Sequence, residues 1–345
     1  MGDKIMNLIF WEKNIEEWFL KQKKGLPQSG DYISNYGVIK NFFETNIHPN
    51  INSIVQKIDN LQLTNHGQQH INKVIQKATE LLNIDKKVLN AYEMFFLLLA
   101  IQAHDAGHII NGRTGHEKEA KEIINGFDKA LLSSVEKSLV LKIIETHSGK
   151  DDPINMKLKD EQIIHDITVH PKVIAGILRL ADELSDDFMR TSTFLLDKGL
   201  ILDECKLFHA YANYLHTCKA EPIAKQVTMR FAIPYKILLE TYFKGKDKIY
   251  LIDEIYERTL KTFRECIYCN RFLPYDLRIE KVKVDIEFIE ADTYECSIKG
   301  ISYCIEEIGY PAVDTTIYSI CSESLVKDGH QLDGTYIAGQ IKIKS

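Results

Sequence analysis

Through the first two thirds of the chain, apolar residues recur every three or four positions, the period of a helix buried along one face. Trp11, Ile15, Trp18 and Phe19 set this rhythm within residues 1–60 and read as a packed helical face rather than an aromatic recognition box. Gly25–Gly30 interrupts it as a loop. Ile71, Val74, Ile75, Ala78, Leu81 and Leu82 predict a helix capped by Thr64 or Asn65 and running to about Asn83. Met94–Ile101 is apolar throughout, so Asn90–Ala103 is expected to be a buried core helix. Further helices are expected over Glu117–Ile124 and about Ser133–Thr146, the latter with Gly149 as its C′ residue. Lys150–Gln162 reads as a loop, and Pro171 opens a helix containing Leu178–Leu184.

Beyond Arg190 the pattern changes. Residues 203–219 keep helical spacing, Gln226–Ile233 alternates as a strand does, and helical spacing returns at about 234–243 and 249–265. From Arg278 onward alternation dominates, over Lys281–Ile289, Thr293–Lys299 and Thr335–Lys344. The expected fold is mainly α with a small β-rich (α+β) C-terminal domain. Residues 1–60 would form an N-terminal helical extension on the core and 61–195 the core. Residues 196–275 would complete the core with a strand inserted, and 276–345 would form the β-rich domain.

Composition narrows the functional classes. No apolar run reaches about 18 residues, so no membrane span is expected. The N-terminus lacks a signal-peptide pattern, and Met6 stands where a myristoylation signal needs Ser or Thr. Seven dispersed cysteines imply reduced thiols and a cytoplasmic setting. Cys266 and Cys269 form a CxxC without the second pair that a structural zinc site needs. A formal net charge of −6 argues against broad binding of a nucleic-acid backbone, while leaving room for a local basic pocket that holds a nucleotide.

The histidines carry the chemistry. Eight of the twelve fall within residues 66–170, under a third of the chain. His66 and His70, four apart, would project from one side of the same helix. The buried helix then ends on His104-Asp105, an ionisable pair that an interior tolerates only with a partner, and a divalent cation would satisfy both. Arg179, Asp182 and Asp186 stand three and four apart and would share one helix face. Mixed imidazole and carboxylate donors suit Mn²⁺, Fe²⁺, Co²⁺, Ni²⁺ or Zn²⁺ better than an all-oxygen cage for Mg²⁺ or Ca²⁺.

His70, the His104-Asp105 pair and Asp182 within LRLADEL, in that order, resemble the HD superfamily of metal-dependent phosphohydrolases over about residues 61–195. The resemblance implies an HD-type helical bundle in which His70, His104, Asp105 and Asp182 ligate the cation. His116 and His147 resemble the extra histidines that some members use for a second ion, with Asp105 bridging the two. HDAGH followed by Gly115-His116 also resembles a segment of deoxynucleoside triphosphate triphosphohydrolases, although three more residues separate the histidines here. On that pattern His108 and His116 would act on the phosphate chain beside Asp105. Arg179 and Arg190, flanking Asp182, read either as ion-pair partners of Glu183, Asp186 or Asp187 or as guanidinium forks on phosphate oxygens. In the second case Arg179 would be a catalytic phosphate grip, with His66, Lys73, Asp186, Arg190 and, more weakly, Lys118 as substrate contacts. Gly309-Tyr310-Pro311 lies outside the HD core, so no HD-GYP signature is present.

The implied activity is hydrolysis of a phosphoester or phosphoanhydride of a nucleotide-like small molecule, using one or two transition-metal ions. Two alternatives stay open: a nuclease of the same chemistry acting on nucleic acid, and a non-catalytic nucleotide-binding signalling module. No membrane partner is expected, and homo-oligomerisation is left open.

Overall fold

The computed structural model describes residues 14–83, 88–289, 293–307, 309 and 316–343. Trp11, Tyr310, Pro311 and Lys344, used above, lie outside them. The described chain is mainly α with a smaller β-containing part, and it divides into two compact units. The first takes the described residues up to Asp59 together with His66–Asp182 and Cys269–Arg278; the second takes Asn60–Asn65, Glu183–Tyr268 and the described residues from Ile279 onward.

The first unit holds α1 (Ile15–Leu20), α2 (Tyr32–Phe42), α3 (Ile51–Asp59), α4 (Gln68–Leu81) and α5 (Ala91–Ala103). They are followed by α6 (His108–Asn111), α7 (His116–Gly126), α8 (Ser134–Ile144), α9 (Pro153–Lys157) and all but the last residue of α10 (Pro171–Glu183). Every residue of α5 is buried, as a helix apolar on all sides requires. Its start is fixed by a capping box, Asn90 accepting from the Glu93 amide while Glu93 accepts from Asn90. A second box, Ser133 with Glu136, starts α8. Glu136 also accepts the hydroxyls of Tyr32 and Tyr92, so one buried carboxylate ties α2, α5 and α8 together.

Several boundaries differ from the pattern reading. The cap of α4 is Gly67, not Thr64 or Asn65. The Asn65 amide donates to the Arg190 carbonyl, so the helix starts later and His66 precedes it instead of sharing a face with His70. Helix α8 stops at Ile144; Gly149, with φ +93, lies in the following turn rather than at C′. The expected loop at 150–162 contains α9, opened by Pro153. Strands β1 (Gln162–Ile164) and β2 (Ile167–Val169) form an unforeseen hairpin. His165 and Asp166 take positive φ there, an atypical choice for a two-residue turn that Asn-Gly usually announces. Helix α10 ends at Glu183, so Asp186 is not on its face.

The second unit contains α11 (Thr193–Asp197), α12 (Asp203–Tyr214), α13 (Tyr235–Leu238) and most of α14 (Leu251–Asn270). Its sheet runs β3 (Leu215–Glu221), β4 (Gln226–Pro234), then β7 (Lys281–Ile289) and β9 (Gly300–Glu306). The β4–β7 pair is parallel and the other two are antiparallel. Between them β5 (Thr241–Lys244) and β6 (Asp247–Tyr250) make a hairpin, and β8 (Tyr294–Cys296) pairs with β12 (Ile341–Ile343). Clean alternation is honoured in β7, where Val282, Val284, Ile286 and Phe288 are buried. The helices expected through 219 and 243 yield to β3 and β5.

The expected strand at 335–344 is mostly helix, α17 (Gly334–Gln340), preceded by α15 (Ile317–Ile320), α16 (Ser322–Leu325) and the short pair β10 (Val326–Lys327) and β11 (His330–Gln331). Asp333 caps α17, Asp253 accepts the Gly334 amide, and a Cβ on Gly334 would stand 2.2 Å from that of Tyr250. These tertiary contacts override the alternation. Among the described residues no helix is long and apolar enough to cross a membrane.

Candidate metal centre

Three helices of the first unit bring their ends together at Asp105. His70 stands in the first turn of α4, His104 caps α5 with Asp105 next in the chain, and Asp182 is the penultimate residue of α10. Asp105 Oδ2 lies 3.4 Å from His70 Nε2 and 3.3 Å from His104 Nε2. Asp182 Oδ1 lies 3.3 and 3.6 Å from the same two nitrogens, which are 3.1 Å apart. Donors around a tetrahedral or octahedral ion with ~2.1 Å bonds stand roughly 3.0–3.4 Å apart, so these separations fit one divalent cation.

The other carboxylate oxygen faces a different group. Asp105 Oδ1 is 3.5 Å from His108 Nε2, 3.5 Å from His116 Nε2 and 4.0 Å from His147 Nε2. His116 and His147 approach each other to 3.2 Å through Nε2. His66 joins Asp105 and His108 in a third group, its ring centroid 5.6 Å from that of His108. Among the described residues the three groups able to hold a metal all share Asp105 and none uses a cysteine.

Ring orientation is set from behind. The Nδ1 atoms of His104, His108, His116 and His147 lie 2.9, 3.0, 3.0 and 2.6 Å from the carbonyls of Ile101, Gly112, Arg113 and Ile144. A carbonyl only accepts, so Nδ1 carries a proton and Nε2 is the nitrogen turned toward Asp105. For His116 and His147 this leaves two lone pairs facing across 3.2 Å, an arrangement that calls for a cation between them.

Charge reinforces the geometry. Burial alone would depress the His104 imidazolium, but Asp105 and Asp182 outweigh it and hold it well above the ordinary histidine range. Burial opposes ionisation of Asp105, yet His104, His108 and His70 keep its carboxyl well below the ordinary range, and His104 and His70 do the same for Asp182. Burial drives His147 down to about 4, aided by His104 and His116, and lowers His116 despite Asp105. Both are thus neutral imidazoles near pH 7, the form that ligates metal.

Glycine makes the centre possible at two points. A Cβ on Gly107 would lie 1.9 Å from the His116 carbonyl oxygen. Its φ is −63, so the requirement is close approach rather than a left-handed turn. At Gly112 a positive φ does operate, and a Cβ would meet the Asp59 carboxylate.

The remaining candidates are placed differently. Arg179 is buried, and its guanidinium donates to the carbonyls of Thr146, Ser148 and Gly149. Lys73 is half-buried one turn beyond His70, and Lys118 is exposed in the first turn of α7. Asp186 and Arg190 belong to the second unit and pair with each other at 3.0 Å; Asp186 also takes Arg258 at 2.8 Å, and Arg190 Nε donates to the Asn65 carbonyl. Pattern reading missed His48. Its ring spans Gln68, two residues before His70, and the Gln102 carbonyl, two before His104, each at 2.8 Å. A lone histidine between Ile47 and Pro49 gives no local signal of that role.

A family model described as HD-CE matches residues 61–255, more than half of the chain. A search of curated proteins returned no match. The matched stretch contains Asp105 and the seven residues gathered around it, and with that coverage the chain belongs to the HD-CE family, its HD-type domain presenting a buried His/Asp cluster that could bind metal.

Proposed function

We propose that this protein is a metal-dependent phosphohydrolase working with two divalent cations on a nucleotide-like small phosphoester or anhydride. The observation that carries the reading is the division of Asp105, with Oδ2 facing His70 and His104 and Oδ1 facing His108, His116 and His147. His70, His104, Asp105 and Asp182 would hold one ion, and Asp105, His116 and His147 the other. Such a pair supplies Lewis acidity toward a phosphoryl oxygen and lowers the pKa of water.

The chain's own groups do the rest. Backbone carbonyls behind the rings hold the imidazoles in one tautomer, so no reorganisation is needed when substrate arrives. His108 stacks on His116 with centroids 4.0 Å apart, which fixes its plane, and it shares a group with half-buried His66. In this reading His66 and His108 meet the phosphate oxygens. Transition metals, rather than Mg²⁺, follow from the imidazole-rich donor set.

The test is turnover of a panel of nucleoside phosphates and cyclic nucleotides with Mn²⁺, Co²⁺ or Ni²⁺, comparing the full chain with Asp105→Ala. The reading expects metal-dependent phosphate release that Asp105→Ala abolishes. Nucleotide binding without release above that variant would contradict it and favour a binding module. Cleavage of single-stranded nucleic acid alone would favour a nuclease.

A further inference from the structure

We infer that Arg179 is a positioning residue that fixes the His147 turn to the helix bearing Asp182, and so sets the second ion's site without touching substrate. The inference rests on the two-ion reading above.

His147 is the least supported ligand by secondary structure. Helix α8 ends three residues earlier, at Ile144, and the ring leans back on that residue's carbonyl. The chain then turns through Ser148 and Gly149, the latter at φ +93. Carbonyls in a turn past a helix end have no helical donors and need partners from elsewhere. Arg179 meets them with a planar fork. One terminal nitrogen donates to Thr146 at 3.2 Å and Ser148 at 3.0 Å, and the other donates to Gly149 at 2.8 Å. The three carbonyls bracket His147 on both sides. A side chain only 7% exposed and engaged this way is poorly placed to reach a phosphate, the duty its sequence position suggested.

The other end of the link is equally specific. Arg179 and Asp182 stand three apart on α10 and share one face. The helix that supplies a ligand to one ion therefore grips the turn that supplies a ligand to the other. A guanidinium suits this better than an ammonium, because its donors diverge in a fixed plane and can hold several carbonyls at once.

The test is calorimetric titration of the full chain with Mn²⁺, alongside electron paramagnetic resonance for the spin-coupled pair and far-ultraviolet circular dichroism for folding. Wild type should bind two ions. Arg179→Met should keep the first within about twofold and weaken the second by roughly 10–100-fold, with loss of the coupled signal. Arg179→Lys, which restores the charge but not the fork, should fall between them. Unchanged second-ion affinity in Arg179→Met would overturn the inference. So would equal weakening of both ions, or failure of both variants to fold, since either marks a general structural role. A single ion in wild type would sink the two-ion reading itself, and the inference with it.

Discussion

Around Oδ2 of Asp105 the ligands stand on long helices, His70 in α4, His104 at the end of α5 and Asp182 in α10. Around Oδ1 they stand at turns, His108 opening the four-residue α6, His116 opening α7 and His147 beyond the end of α8. The first half inherits its precision from the packing of helices whose apolar faces are buried. The second depends on local devices: backbone carbonyls behind each ring, the close approach at Gly107 and the Arg179 fork. Both halves draw on one carboxylate, so they should fail together when it is removed and separately when their own supports are removed.

The largest effect is therefore expected from Asp105→Ala. It should abolish binding of both ions and lower kcat/KM by at least about 10³-fold, or ~4 kcal/mol. Metal analysis of the dialysed variant checks this, and retention of either ion at wild-type affinity would break the shared-carboxylate view.

Gly107→Ala comes next. The added Cβ would collide with the His116 carbonyl, which as backbone cannot yield cheaply, so a loss of ~1–3 kcal/mol is expected together with a weakened second ion. Thermal unfolding and Mn²⁺ titration read the two effects separately. A variant of unchanged stability would show that the close approach is relaxed in solution.

His147→Ala and His70→Ala sharpen the contrast. The former should release only the second ion, by roughly 10-fold or more in affinity. The latter should weaken chiefly the first ion, by a similar factor, and spare the second. Equal titration curves for the two variants would mean that the halves are not distinct.

How much of this was legible follows the same division. The buried helix ending on His104-Asp105 stands out because an apolar run so rarely ends on an ionisable pair, and LRLADEL marks Asp182 through its resemblance to the HD superfamily. The turn-borne half is fainter. His116 and His147 were visible as histidines beside glycines, but nothing local shows that their rings would meet at 3.2 Å. Arg179 was legible as a cation on the ligand-bearing helix, whereas its partners are carbonyls some thirty residues away. Carbonyls leave no trace in a sequence. His48 and the α17 helix escaped for the same reason: their positions are set by contacts with distant residues, Gln102 for one and Asp253 and Tyr250 for the other.

The smallest expected effect lies behind the centre, at Glu136. Burial would raise its carboxyl pKa, but hydrogen bonds from Tyr92, Ser133 and Tyr32 win and hold it below the ordinary range. Its folded value lies below its unfolded one. Its contribution is therefore complete above the unfolded pKa and is lost as pH falls through the folded value. Glu136→Gln should cost about 1–3 kcal/mol at neutral pH and progressively less in acid. Chemical denaturation at several pH values measures this. A difference that grew on acidification would reverse the assigned sign, while leaving the metal centre untouched.

The central claim, that one buried carboxylate serves two ions at once, is tested most directly by electron paramagnetic resonance of the full chain titrated with Mn²⁺. The account expects a spin-coupled signal that grows in as the second equivalent binds. An uncoupled signal persisting at two equivalents, or saturation at one, would contradict it.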